Sequence, residues 1–377
     1  MGEVWRLVDL GAQDGLTIQS VYEAIAKYVG KGLSPNTIVL TYPSSPYVCI
    51  GVHQVPEFEV DVEYCRARGF PVIRRQVGGG AVYLDEGQQF YHVIVREGHP
   101  LTKGTVEDFF RRILGAVVEF YRSYGLNAEY KPPNDVLVNG KKASGNGAAL
   151  MHGSMVLIGN VIMEFNAEEA ARVLRVPDEK LRAKLVSSIK EWVTDLRREF
   201  GFVPDRSEVK EKLVRCFEKT LGVRLVESDL SEEEKGELDK IKKRLGSKEW
   251  LYGYSIGREY IVSRYKPGVR LVKVREGHYI LYADHREESL GGKTIRVALE
   301  VVDGVIKDIM LSGDFFIEPP QAISLIERVF VGKKLAETAS LRESLEMLWR
   351  NTVKKHSGIT PEGILRAVEK TLSMLGE

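Results

Sequence analysis

A chain of 377 residues, 44% hydrophobic and 28% charged, can bury a sizeable core and divide into two domains. A formal net charge of +1 argues against a nucleic-acid partner, because phosphate-backbone affinity needs lysine and arginine in excess on one face. No apolar run is long enough to span a bilayer, and Met1-Gly2-Glu3-Val4-Trp5-Arg6 has neither a basic leader nor the hydroxyl residue a myristoylation signal needs at Arg6, so a cytoplasmic protein without a membrane partner is expected.

In chain order, residues 4–9 predict a strand, and Ile18, Val21, Tyr22, Ile25 and Val29 recur at helical spacing until Gly30-Lys31-Gly32. Two short β-rich runs at 37–42 and 47–50 flank the turn Pro43-Ser44-Ser45-Pro46, and Gly51-Val52-His53-Gln54 follows them. Asp61 caps a short helix that Gly69 ends. The chain then enters Pro71-Val72-Ile73 and the segment Arg74-Arg75-Gln76-Val77-Gly78-Gly79-Gly80-Ala81-Val82-Tyr83-Leu84-Asp85. Three consecutive glycines admit φ > 0 and let backbone N–H groups approach a bound group, and two guanidinium groups add donors suited to carboxylate or phosphate. A glycine-rich hairpin with surface arginines is the plainer reading of the same residues.

Residues 90–95 predict the next strand, which places the glycines between sheet elements. That is not the context of a P-loop, and Gly145-Asn146-Gly147 lacks the third glycine of a dinucleotide fingerprint. Thr105-Val106-Glu107-Asp108 opens a helix whose Phe109, Ile113, Val117 and Phe120 read as core. From 128 to 166 the pattern is strand-like, and Asn139-Gly140 is a type I′ hairpin signal that projects Lys142 just beyond a tight turn, with Lys141 on the other face. Helices over 207–221 and 231–245 lead to a linker at Gly246-Ser247-Lys248. A second hairpin at 296–311 and helical patterns after Pro319-Pro320 follow. The seven scattered histidines carry no zinc-ligand spacing.

Four segments in this order, Arg74 to Asp85, Asn134-Asp135, Lys142-Ala143-Ser144-Gly145 and His152-Gly153, resemble the lipoate–protein ligase family. The resemblance implies an α+β fold, a mixed β-sheet flanked by helices as in biotin and lipoate ligases. Residues 1–246 would form the catalytic domain and 247–377 a smaller α+β accessory domain that covers or moves over the site. It implies that ATP and Mg²⁺ activate lipoate to lipoyl-AMP, and that the lipoyl group passes to a lysine of an apo lipoyl-carrier domain. A 2-oxoacid dehydrogenase acyltransferase subunit or the glycine-cleavage H protein would supply that domain.

Attack on an α-phosphate concentrates negative charge, so such a site needs fixed cations and oriented N–H donors. By resemblance Lys142 is the catalytic cation, touching phosphate and lipoyl carbonyl, and Arg75 binds phosphate while Arg74 pairs with a carboxylate. Gly78 and Gly79 form the phosphate loop, and Gly80, Ala81, Val82 and Tyr83 hold the nucleotide. His152 borders the lipoate or is a buried, satisfied histidine. Asp135, with Asn134 beside it, is a Mg²⁺ or ribose ligand or else a surface turn carboxylate. His53 borders the lipoyl pocket or is a turn residue.

The sequence departs from the family pattern at Leu84, Val77 and Gln88, where His, a small hydroxyl residue and Asn are common. Alternatives remain open: an octanoyltransferase drawing on acyl carrier protein through a cysteine thioester, a non-catalytic lipoate binder and, more distantly, a biotin–protein ligase. Cys49, Cys65 and Cys216 form no C-x-x-C and none lies beside Lys142 in sequence, which weighs against a thioester route.

Overall fold

The computed structural model describes residues 2–287 and 293–376. Its largest sheet has eight strands, in the order Val223–Glu227, Glu3–Gln13, Thr37–Pro43, Gln88–Arg96, Ser154–Ile162, Lys141–Met151, Asp135–Val138 and Ala128–Lys131. The first three run parallel and the rest pair antiparallel, so the sheet is mixed as expected.

Alternation along each strand sorts side chains to the two faces. Leu7, Ile38, Leu40, Val93 and Val95 pack under Phe109, Ile113, Val117, Leu213 and Phe217 of the helices Val106–Arg122 and Arg206–Leu221. Their neighbours Val8, Val39, Ile94 and Ile158 pack instead under Val21, Tyr22, Ile25 and Val29 of the helix Gly15–Gly30. The edge strand Val223–Glu227 was not anticipated, because five residues after a helix give too short a run for its alternation to register.

A separate three-stranded sheet, ordered Val72–Arg74, Tyr47–Ile50, Val82–Leu84, carries the glycine-rich segment from one edge to the other. The smaller domain is an antiparallel sheet of Leu271–Arg275, His278–Glu287, Lys293–Val302 and Val305–Gly313. One face buries Val297, Leu299, Ile309 and Leu311 under the helices Ala322–Phe330 and Pro361–Ser373. The other packs Ile280, Tyr282, Ala298 and Met310 on Val55 and Phe58.

His92 is completely buried, edge-on to Tyr22 at 5.4 Å. Burial drives its pKa from 6.5 down to about 3, and burial with the charge of Arg74 does the same to His53. Below pH 6.5 the unfolded chain therefore binds more protons than the folded one, so stability is complete above that pH and is lost as pH falls toward 3. Urea midpoints measured from pH 7 to 4 are expected to fall, and less steeply in His92→Phe. A flat profile in the unsubstituted protein would contradict this.

Candidate active site

Both arginines of the glycine-rich segment turn inward. Arg74, 2% exposed, donates to the carbonyls of Val52 at 2.7 Å, Gln54 at 2.5 Å, Trp250 at 2.9 Å and Leu251 at 2.7 Å. Among the described residues it pairs with no carboxylate, contrary to expectation, because a buried turn and the unpaired carbonyls of the short helix Lys248–Tyr252 need donors. Arg75 donates to the carbonyls of Gly78 and Gly80, both at 2.9 Å, and of Cys49 at 3.3 Å. The guanidinium expected on phosphate thus props open its own loop.

The loop fits its surroundings because it lacks side chains. A Cβ on Gly51 would lie 2.1 Å from the Gly79 carbonyl, and one on Gly78 2.8 Å from the carbonyl of Phe315 in the smaller domain. Gly79 has φ +103°, which disfavours any other residue. Gly80 faces open space. Ala81 packs partly into an apolar cluster, Val82 and Tyr83 pair with Cys49 and Val48 in the small sheet, and the Tyr83 ring lies 5.7 Å from Phe70. Of the four residues expected to hold a nucleotide, Val82 and Tyr83 are thus engaged in strand pairing, on one side of an edge strand. His53 is buried, stacked on Phe315 at 5.0 Å with Nδ1 3.0 Å from the Tyr254 hydroxyl.

Lys142 stands at the start of its strand, as the hairpin signal requires, and its Nζ lies 2.7 Å from Asp135 Oδ1. The register explains the pair: Leu137 opposes Lys142 and Asp135 opposes Gly145, with an irregularity between them that leaves lysine and carboxylate on one side. A Cβ on Gly145 would lie 3.4 Å from that Nζ, so the ammonium rests over bare backbone. Asn134 and Asn146 bond each other's carbonyls. Asn160 accepts from the Gly145 N–H at 3.0 Å, and the Tyr91 hydroxyl donates to Asn146 at 2.6 Å. Asn134 is therefore part of the frame that fixes the strand. Asp135, expected as a Mg²⁺ or ribose ligand, is paired with Lys142 here.

His152 lies beyond the opposite end of the same strand, ten residues on, roughly 30 Å from Lys142 at about 3.3 Å per residue. One lipoyl group cannot touch both. Its Nε2 lies 3.1 Å from Glu23, which is 5% exposed and also bonds Gln76 and Arg244. These groups line a cleft of about 730 Å³ between the two domains together with Trp250, Tyr254 and Gln321. Sequence reasoning missed Glu23, whose one signal is a carboxylate set among apolar helix positions.

Cys49 and Cys65 are completely buried, and burial raises both thiols, as it does that of the partly buried Cys216. No group of three His, Cys, Asp or Glu side chains that could hold a metal ion occurs among the described residues, and no helix there is long and apolar enough to cross a membrane.

Residues 14–218 match the lipoyl protein ligase A/B catalytic domain, and the chain belongs to that family. Octanoyltransferase LipM of Moorella thermoacetica is 28% identical over 268 residues, covering 66% of this chain and 98% of that protein. Lipoate–protein ligase LplJ of Bacillus subtilis is 28% identical over 314 residues, covering 82% and 86%. Among solved structures, a bipartite lipoate protein ligase of Thermoplasma acidophilum superposes with a TM-score of 0.60 at 28% identity, over 67% of this chain and 97% of that one.

Octanoyltransferases of the LipM type recur in six bacteria at 23–28% identity, over 91–99% of their own length. They overturn the expected activity, an ATP-dependent, AMP-forming lipoate ligase.

Proposed function

We propose that the chain is an acyltransferase of protein lipoylation, moving an octanoyl group from a thioester on acyl carrier protein to a lysine of a lipoyl-carrier domain. The observation that carries this reading is the run of octanoyltransferase relatives matched over nearly their whole length. A thioester is already activated, so the reaction needs no ATP. The acceptor's neutral ε-amine attacks the thioester carbonyl, the C–N bond forms, the C–S bond breaks, and the amine proton leaves with the thiolate as a thiol.

Lys142, steadied by Asp135 over Gly145, is placed to donate to the carbonyl oxygen as negative charge develops there. None of the raised thiols suits an acyl-enzyme, which favours direct transfer between the two carriers. In this reading residues 1–246 carry the chemistry, 247–377 are accessory, and the acceptor is the lipoyl domain of a 2-oxoacid dehydrogenase or the H protein, in the cytoplasm.

The test mixes purified protein, octanoyl-acyl carrier protein and an apo lipoyl domain without ATP, and weighs the acceptor by mass spectrometry. An octanoyl mass gain is expected, and it should persist when all three cysteines are replaced by serine. A gain seen only with free acid and ATP would overturn the reading.

A further inference from the structure

From Ser263 to Arg275 the chain carries five cations, Arg264, Lys266, Arg270, Lys273 and Arg275, and no carboxylate, in a protein whose net charge is +1. The run ends in Leu271–Arg275, an edge strand of the smaller domain's sheet. Lysine on an edge strand keeps the free edge from pairing with another chain, and Lys273, ion-paired with Glu276 at 2.6 Å, fits that role. Arg264, Lys266 and Arg270 precede the strand, so edge protection does not account for them. Arg264 lies over the Tyr260 ring at 3.6 Å, whereas Lys266, Arg270 and Arg275 are exposed and make no ion pair among the described residues.

This basic run adjoins the helix that leads to Lys142. Gly268 lies against Pro177, where a Cβ would meet the proline ring at 3.7 Å, and the Arg175 guanidinium lies 5.6 Å from the centre of the Tyr265 ring. The helix Glu179–Trp192 begins just beyond Pro177, and the residue after it, Val193, pairs with Lys142. Its Lys180 and Lys184 stand four apart on one face, both exposed and without an ion pair among the described residues. The nearby acids are taken, Glu179 by Arg172 and Arg182, and Asp284 by Arg296. Exposed Leu181 and Leu271 add apolar surface among the charges.

We propose that this surface, spanning Lys266 and Arg270 of the smaller domain and Lys180 and Lys184 of the helix, docks the acyl donor, a carrier protein with an acidic face that presents its thioester on a long flexible arm. The assignment rests on the acyl transfer at Lys142 proposed above. Distance separates donor from acceptor here. The helix of 14 residues is roughly 21 Å long at about 1.5 Å per residue, so a partner held at its start has to reach that far. A thioester on a long arm crosses such a gap, while an acceptor lysine, whose side chain spans about 6 Å, has to sit against Lys142 itself. The two partners then occupy different surfaces at once, as direct transfer between carriers requires. Opposed charge also speeds their encounter.

Fluorescence anisotropy of labelled octanoyl-acyl carrier protein reads its binding to the full chain, and intact-mass kinetics on the apo lipoyl domain read transfer. Lys266→Glu combined with Arg270→Glu is expected to weaken carrier binding about tenfold, and to raise KM for the carrier-bound donor by the same factor with kcat unchanged. Lys180→Glu combined with Lys184→Glu, on the other domain, should do the same, so that a folding defect in one pair leaves the other to decide. Neither pair should change KM for the apo lipoyl domain, or the rate with octanoyl-N-acetylcysteamine, a thioester with no protein attached. Carrier binding and KM within about twofold of the original in both pairs would overturn the proposal, as would an equal loss for the lipoyl domain. Tighter binding of a labelled DNA duplex, or of a labelled second copy of the chain, than of the carrier would overturn it too. Transfer that continues from carrier and small thioester alike in both pairs leaves the acyl-transfer reading standing without this surface. Failure of the unsubstituted chain to transfer from any thioester overturns both together.

Discussion

Lys142→Met is expected to lower the rate of octanoyl transfer by about 10²–10³-fold, the usual consequence of removing one donor from a developing oxyanion. The methionine keeps most of the stem packed over Gly145 and deletes the charge that Asp135 steadies at 2.7 Å. Both side chains are partly exposed, 40% and 27%, so the ion pair contributes little to the fold and the thermal midpoint should hardly move. Arginine should not restore the rate, because its planar fork is longer and places its donors differently. Initial rates by intact-mass analysis, together with thermal unfolding, check both parts. A loss of less than about tenfold with an unchanged midpoint would remove Lys142 from the chemistry.

Arg74→Ala is expected to cost about 3 kcal/mol of stability and to loosen the smaller domain, since it leaves buried carbonyls without donors and opens a cavity. Arg74 ties the turn at Val52 and Gln54 to the carbonyls of Trp250 and Leu251, and its guanidinium carbon lies 5.1 Å from the centre of the Tyr254 ring. Burial lowers its pKa to about 10, which still leaves it charged at neutral pH. Arg74→Lys should not preserve the tie, because one ammonium cannot reach four carbonyls spread around a planar fork. Earlier proteolytic cleavage between Leu245 and Tyr254 and a lower unfolding midpoint are the expected readouts. An unchanged cleavage pattern would mean that the interface holds without this tie.

Much of the frame was legible because its causes are local. The spacing of Ile18, Val21, Tyr22, Ile25 and Val29 named a helix that is found at Gly15–Gly30. Thr105-Val106-Glu107-Asp108 marked the start of a helix, found at Val106–Arg122 with Thr105 and Asp108 in a capping box, and Asn139-Gly140 named the turn that presents Lys142. The orientation of Arg74 and Arg75 was not legible, since a glycine-rich segment leaves carbonyls whose direction depends on what packs around them. The separation of Lys142 from His152 was hidden for a related reason: the length of a strand is set by its pairing partners, here Ser154–Ile162, and not by its own residues alone.

The sequence by itself determined the family, several of the long helices and strands and the position of Lys142 beyond its turn, because these follow from periodicity, turn chemistry and short motifs. Only the tertiary structure decided which groups are available. Cross-strand register joined Asp135 to Lys142, close packing turned both arginines onto carbonyls and buried Cys49, and the smaller domain seated Phe315 against Gly78. Each of these contacts joins residues distant along the chain or on different strands, where the exclusion of water and the need to satisfy every buried polar group outweigh any local preference.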